Sequence, residues 1–339
     1  MAVHLREADL MQDEPALIAL ARTYLGATDA HRFRWLYHDN PFGQARAWLA
    51  FDGQTEGPIG MAALFPRRGY VGGAEVLGCV LGDFCVSEGY RSLGPAVQLQ
   101  RACLSLIELG QFAFCYDFPS TAMVSIYRYL GLQPTHTSVR MAKLLRTEKT
   151  IREMVPARAL SRVISKAADF VLALKDRQAA DPEGMEYRLD EQPCSAQYAR
   201  LAQQVGSSLG SCTVRSPEYL NWRYRQHPTQ HYEFLAGYRG GELQTYCVFT
   251  LSEGRAQIVD LFGSPDEKKI TGLLKRLVRL LRSRGASAIS ISVLAGDVRT
   301  RLLRTLGFRG RESVPVIGCS GKLSNFGPRL LLMHGDRES

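Results

Sequence analysis

The chain writes one pattern twice. Trp35-Leu36-Tyr37 is followed by Pro41, and Trp222-Arg223-Tyr224 is followed by Pro228 at the same spacing. Further along, Leu81-Gly82-Asp83-Phe84 is echoed by Ile258-Val259-Asp260-Leu261. Near the end of each half, Tyr127-Arg-Tyr-Leu-Gly-Leu132 is echoed by Leu303-Arg-Thr-Leu-Gly-Phe308. Three echoes in one order, so far apart, point to duplicated domains and exclude a solenoid of short repeats. At 339 residues the chain is long enough for two substantial cores.

Each copy reads alike: a helix, the Trp/Tyr segment, antiparallel strands, a strand running into a long helix, a strand, a short helix, a Leu-Gly corner and a last strand. Trp48–Phe51 and Gly60–Phe65, joined from Asp52-Gly53 onward, suit a hairpin-like pair. Tyr232–Tyr238 and Thr245–Thr250 repeat that pair around Arg239-Gly240-Gly241. Strands alternating with helices predict an α/β, or α+β, layered architecture. The boundaries expected are 1–147 for the first domain, 148–184 for a connecting helix and linker, and 185–339 for the second. In the connection, Leu160, Val163, Ile164, Ala167, Val171 and Leu174 share one helical side, and Lys175–Gly184 has no apolar pattern.

The copies part company at one turn. In the first, the strand ending Gly82-Asp83-Phe84-Cys85-Val86 leads to Arg91-Ser92-Leu93-Gly94-Pro95-Ala96 at the start of an amphipathic helix. Unpaired N–H groups and the macrodipole favour an anion at such a helix start. Gly94 lets the backbone come close to a ligand, Pro95 suits a first turn, and Arg91 can add a charge-assisted contact to phosphate. The second copy has Ser264-Pro-Asp-Glu-Lys-Lys269 instead, which sets Asp266 and Glu267 where an anion would go. Its helix keeps an apolar stripe of Ile270, Leu273, Leu274, Leu277, Val278 and Leu281, closed by Gly285. The second copy therefore reads as a scaffold or substrate platform.

The spacing Arg-x-x-Gly-x-Ala, together with the element order over most of the chain, resembles the GNAT-fold (Gcn5-related) acyltransferases. The resemblance implies two tandem GNAT-like domains, each a mixed and mostly antiparallel sheet flanked by helices. It implies acetyl-CoA or another acyl-CoA as co-substrate, held by Arg91, Ser92, Leu93, Gly94, Pro95 and Ala96. Backbone N–H groups near Phe84, Cys85 and Val86 would polarise the thioester carbonyl, as an oxyanion hole does. Tyr127, in a segment resembling the family's Tyr-x-x-x-Gly-Phe corner, would protonate the leaving thiolate. Two departures are visible, since Leu132 replaces the Phe and Ser120 stands where an Asn often lies. Asp83 and Asp117 are the candidates for general base. Asp260 matches Asp83 in the copy without the turn, which points also to a structural role for both. Trp35, Tyr37, Trp222 and Tyr224 recur in both copies and are expected to pack in the core or at a domain interface.

Net charge is +9, with basic residues gathered on helical stretches. No zinc finger, RNP-type aromatic pattern or Gly-x-x-Gly clamp accompanies them, so a nucleic-acid partner is not expected. Eight scattered cysteines form no Cys-x-x-Cys pair and read as reduced core thiols. His227 and His231 are four apart, but Pro228 breaks any shared helical face, and no metal site is expected. No stretch reaches membrane-span length and the N-terminus has no signal-peptide pattern, so a cytoplasmic location is expected. The reading is an acyl-CoA-dependent N-acyltransferase working on an amine, an amino sugar or another small metabolite. Two alternatives stay open: a Fem-type aminoacyl-tRNA-dependent transferase, and a non-catalytic acyl-CoA-binding protein. The sequence sets neither the acceptor nor the oligomeric state.

Overall fold

The computed structural model describes residues 3–26, 29–53, 56–91, 93–146, 184–206, 210–320 and 330–338. The connecting helix and linker expected over 148–184 lie outside the described residues, except for Gly184. The chain forms two compact units. The first comprises Met1–Ser138, Gly206–Gln230 and Val314–Ser339, and the second comprises Val139–Val205 and His231–Ser313.

In the first unit, β1 (Val3–Glu7), β2 (Arg46–Asp52), β3 (Pro58–Val71), β4 (Ala74–Val86) and β5 (Phe114–Asp117) lie side by side, and the end of β13 (Arg309–Ser320) follows. Neighbours from β1 to β4 are antiparallel, β4 and β5 are parallel, and β5 pairs antiparallel with Ile317–Ser320. Gly72 and Gly73, at φ 60° and 85°, make the two-residue turn between β3 and β4, where both central residues need positive φ. That turn sets the register Val71↔Ala74 through Phe65↔Val80. Helix α3 (Leu93–Glu108) covers one face of this sheet. Its Ala96, Leu99, Cys103 and Ile107, at helical spacing, are buried against Trp48, Leu64, Cys79, Leu81 and Cys115.

Other elements complete the unit. α1 (Glu14–Leu25) and α2 (Ala30–Phe33) follow β1, and α4 (Thr121–Tyr129) follows β5. β8 (Ser211–Thr213) pairs with Gly69 and Tyr70 of β3, and β14 (Leu330–Leu331) pairs with β8. The two Trp-x-Tyr segments both form five-residue π-helical turns, Arg34–His38 after α2 and Asn221–Arg225 after α6 (Pro217–Leu220). Trp35 and Trp222 stack at 4.8 Å, and each indole N–H donates to the other's backbone carbonyl at 2.9 Å. The pair is buried, so each indole buries its large ring and satisfies its one donor at once. This accounts for the recurrence of the motif by packing.

The second unit has β6 (His136–Leu144), β12 (Ala288–Leu294), β11 (Arg255–Gly263), β10 (Glu242–Ser252), β9 (Glu233–Arg239) and β7 (Met185–Asp190) in that order. β11 and β12 are parallel, while the β10–β11, β9–β10 and β7–β9 pairs are antiparallel. Helix α7 (Glu267–Ser283) buries the six apolar residues its stripe predicts. Each such burial contributes about 1.5–3 kcal/mol. α5 (Ala196–Gly206) and α8 (Arg299–Thr305) complete the set. The layered arrangement of largely antiparallel sheets and covering helices is the one expected from sequence.

Candidate active site

The site is built where β4 stops following its neighbours. The β3–β4 register passes from Ala63↔Gly82 to Met61↔Cys85, so Asp83 and Phe84 bulge out opposite Ala62. Asp83 adopts φ 40°, a left-handed conformation that Asp tolerates better than most residues. On the other edge, β4 meets β5 at Cys79↔Cys115 and Val80↔Tyr116, and beyond those rungs the strands part. The polarising amides expected near Phe84, Cys85 and Val86 thus lie at and just after a bulge, beside an opening in the sheet.

Asp83 is fully engaged. Arg32 donates to both of its oxygens at 3.0 Å, and the Tyr37 hydroxyl donates to Oδ2 at 3.0 Å. Burial, then the neighbouring Asp83 carboxylate, push the Tyr37 phenol well above its ordinary value, so Tyr37 stays a donor. Burial alone would lower the Arg32 guanidinium, but Asp83 outweighs it and the net shift is upward. The Cys85 thiol donates to the Leu20 carbonyl at 3.9 Å, and burial raises it to about 12.

Asp117 ends β5 and meets α4. Tyr127, fully buried, donates to Asp117 Oδ2 at 2.6 Å and reaches Gln100 Oε1 at 3.3 Å. Burial, followed by the carboxylate of Glu338, raises Asp117 to about 7, and the Tyr127 hydrogen bond pulls the other way. Burial, then Asp117, push Tyr127 well above its ordinary value. Asp117 and Tyr127 are therefore brought together as one pair, whereas Tyr129 points outward, 63% exposed. Ser120 caps α4 by accepting from the Met123 N–H.

The turn read from sequence as an anion site joins β4 to α3. A short 3₁₀ turn, Glu88–Tyr90, leads from β4 to α3, and Arg91 stands exposed with Glu88 at 3.5 Å. An exposed ion pair of this kind is worth at most about 1 kcal/mol, so Glu88 holds Arg91 only weakly. An added Cβ at Gly94 would find no heavy atom within 4 Å, and α3 carries no acidic residue in its first turn. A cavity of about 480 Å³ lies beside the turn, lined by Thr23, Tyr24, Ser87, Glu88, Gly89, Tyr90 and Arg91. Pro95 and Ala96 lie in the first turn of α3, with Ala96 buried. Ser92 lies outside the described residues, and Leu93 is the first residue of α3.

One part of the site escaped sequence reasoning. Residues Met333–Glu338 form a strap around the 3₁₀ turn His334–Asp336. Buried Asp336 pairs with buried Arg215 at 2.9 Å, and it also accepts from the Met333 N–H at 2.6 Å and from the Thr213 hydroxyl. Tyr116 donates to the Asp336 carbonyl at 2.8 Å, and Arg223 donates to the carbonyls of Gly335 and Arg337 at 2.9 and 3.0 Å. So fastened, the strap lays the Glu338 side chain on Gly82: an added Cβ there would lie 2.8 Å from Glu338 Cβ and 3.2 Å from its Cδ. Nothing in the segment Met333-His-Gly-Asp-Arg-Glu338 marks this role. Its fastening depends on pairings with residues more than a hundred positions away.

The cysteines behave as expected of core thiols, all eight being buried and none in a disulfide. Among the described residues there is no His/Cys/Asp/Glu group able to hold a metal ion, and no helix long and apolar enough to cross a membrane.

No family model matches the chain, and no curated protein does so either. Solved structures do. A conserved protein from Enterococcus faecalis V583, described as a probable N-acyltransferase, superposes with a TM-score of 0.68 at 11% identity, over 94% of this chain and 72% of that one. A GCN5-related N-acetyltransferase from Anabaena variabilis gives 0.67 at 13% identity, over 94% and 73%. A second GCN5-related N-acetyltransferase, from Kribbella flavida, gives 0.60 at 15% identity, over 94% and 72%. The chain has the fold of the GCN5-related N-acetyltransferases.

Proposed function

We propose that the chain is an acyl-CoA-dependent N-acyltransferase whose working site lies in the first of two duplicated segments, 1–147 and 185–339. The observation that carries this reading is the turn between β4 and α3. It has an open glycine, an exposed arginine, a helix start without acidic residues and a cavity alongside. These residues fit a pyrophosphate: Arg91 supplies charge, and the backbone N–H groups of Gly94 and Ala96 supply donors, with Pro95, which has no N–H to satisfy, in the first turn. Acetyl-CoA or another acyl-CoA, when bound, supplies the activated thioester.

The chain's own residues do the rest. Amides at the β4 bulge, among Phe84, Cys85 and Val86, point donors at developing negative charge on the thioester carbonyl oxygen. Tyr127, held by Asp117, stays protonated across the physiological range and carries the proton for the leaving thiolate. Asp83, with three donors on its two oxygens, fixes the bulge through Arg32 and Tyr37 and makes a poor proton acceptor. The acceptor is a small-molecule amine, which must lose a proton to complete the transfer.

Calorimetric titration with acetyl-CoA tests the reading, with Gly94→Glu as the comparison. Open space around Gly94 means the new side chain is accommodated, while its charge opposes phosphate. Saturable binding to the wild type, abolished in the variant, is the expected result. No binding of acetyl-CoA or longer acyl-CoAs to the wild type would overturn it.

A further inference from the structure

The transfer needs a group to take the amine's proton, and the two carboxylates singled out from sequence are both committed elsewhere. Asp83 is held on both oxygens by Arg32 and Tyr37. Asp117 is joined to Tyr127. Strand alternation decides which side each group serves. Cys79, Leu81 and Cys115 face α3, in one cluster with Tyr127. Gly82 and Tyr116 face the opposite way, and that is where the 333–338 strap lies, Tyr116 bonding Asp336 and Gly82 meeting Glu338. With the donor held at the start of α3, the Asp117–Tyr127 pair is on the thiolate's side. The acceptor's side is the face that carries Glu338.

From the strap's fastening and its contact with Gly82, we infer that Glu338 is the catalytic base that takes the proton from the acceptor amine; the inference rests on the acyltransferase reading above. The position is built for it. The buried Asp336–Arg215 pair and the two Arg223 bonds hold the strap within three residues of Glu338 on its N-terminal side. Gly82 is the residue that makes room, because any side chain there would collide with Glu338. The charged groups around Glu338 are Asp83 of β4 with its partner Arg32, Asp117 of β5, Arg223 of the π turn and Arg337 of the strap itself. Burial first, and Asp83 after it, raise the Glu338 carboxyl above its ordinary value, while its own backbone N–H, Arg337 and Arg223 oppose that shift. A carboxylate moved upward is a better base near neutral pH than an ordinary one.

The step balances. The amine nitrogen forms a C–N bond to the thioester carbonyl carbon, the C–S bond breaks, and the electron pair leaves on sulfur. The proton lost by nitrogen goes to Glu338, and the thiolate is protonated from Tyr127 or from solvent. No oxidant, reductant or metal is consumed.

The test is Glu338→Gln, which keeps shape and hydrogen bonding but cannot accept the proton. CoA thiol release is followed with acetyl-CoA and a panel of primary amines (glucosamine, lysine, spermidine), and acetyl-CoA affinity is measured calorimetrically on the same samples. The expected result is a fall in kcat of about 100-fold or more, the usual worth of general base catalysis, with acetyl-CoA affinity within about twofold of wild type and partial recovery in Glu338→Asp. Gly82→Ala, which displaces Glu338 without changing its chemistry, lowers kcat in the same sense. A Glu338→Gln variant that keeps kcat within about threefold, or that loses acetyl-CoA binding along with rate, overturns the assignment and leaves the acyltransferase reading standing. A wild type that binds acetyl-CoA but releases no thiol with any of the amines overturns the assignment together with the transfer reading. A wild type that does not bind acetyl-CoA fails at the earlier step, in the titration already described.

Discussion

The β4-to-α3 crossover of the first unit and the β11-to-α7 crossover of the second are two versions of one construction, and they differ where a ligand would matter. Both strands carry a bulge next to a buried aspartate: Asp83–Phe84 opposite Ala62 in β4, and Val259, beside Asp260, in β11. Both lead into a long helix. In the first, the helix start has no acidic residue, and Gly94 stands in open space beside a cavity. In the second, Asp266 turns its own carboxylate onto the Lys268 N–H at 2.9 Å and satisfies the helix start from within. The strands that follow differ in the same way. β5 ends on Asp117, paired with Tyr127, whereas β12 ends on buried Leu294, and the residue matching Tyr127 is buried Leu303. Bulge and aspartate belong to the scaffold; open turn and polar pair are what the first unit adds.

If that division holds, the largest effect comes from the scaffold's aspartate. Asp83→Ala strands Arg32, whose side chain is 14% exposed, without its carboxylate, and leaves the Tyr37 hydroxyl without an acceptor. Removing one partner of a buried ion pair costs about 3–5 kcal/mol. Urea unfolding of the variant measures it. A loss below about 1 kcal/mol, in the range of an exposed pair, would mean that Asp83 is not committed to structure, and the parallel with Asp260 would fail.

A smaller effect sharpens the contrast between Asp117 and Leu294. Asp117 has an ordinary value of 3.8 that rises to about 7 in the folded chain, mainly through burial. The folded state therefore keeps a proton that the unfolded chain gives up. The resulting stabilisation is complete below pH about 4, declines as pH rises, and is gone above about 7. Between pH 5 and 7 the loss amounts to about 2–3 kcal/mol from this group. Unfolding free energies from urea titrations at the two pH values should differ by that amount more in the wild type than in Asp117→Asn. Equal pH dependence in the two proteins would remove Asp117 from the titrating set.

Much of this was legible in the sequence because it is local. The pairing of Trp48–Phe51 with the strand that follows, the apolar stripe of α7, the helix start at Leu93–Ala96 and the strand into Val86 each announce themselves within a couple of dozen residues. The Trp-x-Tyr repeat was legible as packing, though not as two π-helical turns whose indoles exchange hydrogen bonds, because a π turn has no distinctive composition. What could not be read was long-range. Arg32 and Tyr37 reach Asp83 from 51 and 46 positions away, and the strap is fastened to Arg215 from 121. Hydrophobic period and turn chemistry carry no information about such pairings. The bulge that frees Asp83 and Phe84 from the ladder likewise leaves no mark that a strand pattern can show.

The smallest effect tests the second crossover directly. Asp266→Ala removes the α7 cap and exposes the Lys268 N–H to water. Caps of this type are worth about 0.5–2 kcal/mol, and the solvent-exposed position of Asp266 argues for the middle of that range, about 1 kcal/mol. If Asp266 merely occupies a site that could otherwise take an anion, its removal should also give the second unit a measurable affinity for acetyl-CoA or inorganic pyrophosphate. The structure argues against that gain. Gly263, just before the turn, lies so close to β10 that an added Cβ would be 2.6 Å from the Gln244 carbonyl oxygen and 2.7 Å from Thr245 Cβ, where Gly94 has nothing within 4 Å. Asp266→Ala should therefore lower the urea midpoint slightly and bind no anion beyond what the first unit binds. A second equivalent of bound acetyl-CoA in that variant would show that a single carboxylate separates the two copies, and that the closed approach at Gly263 does not.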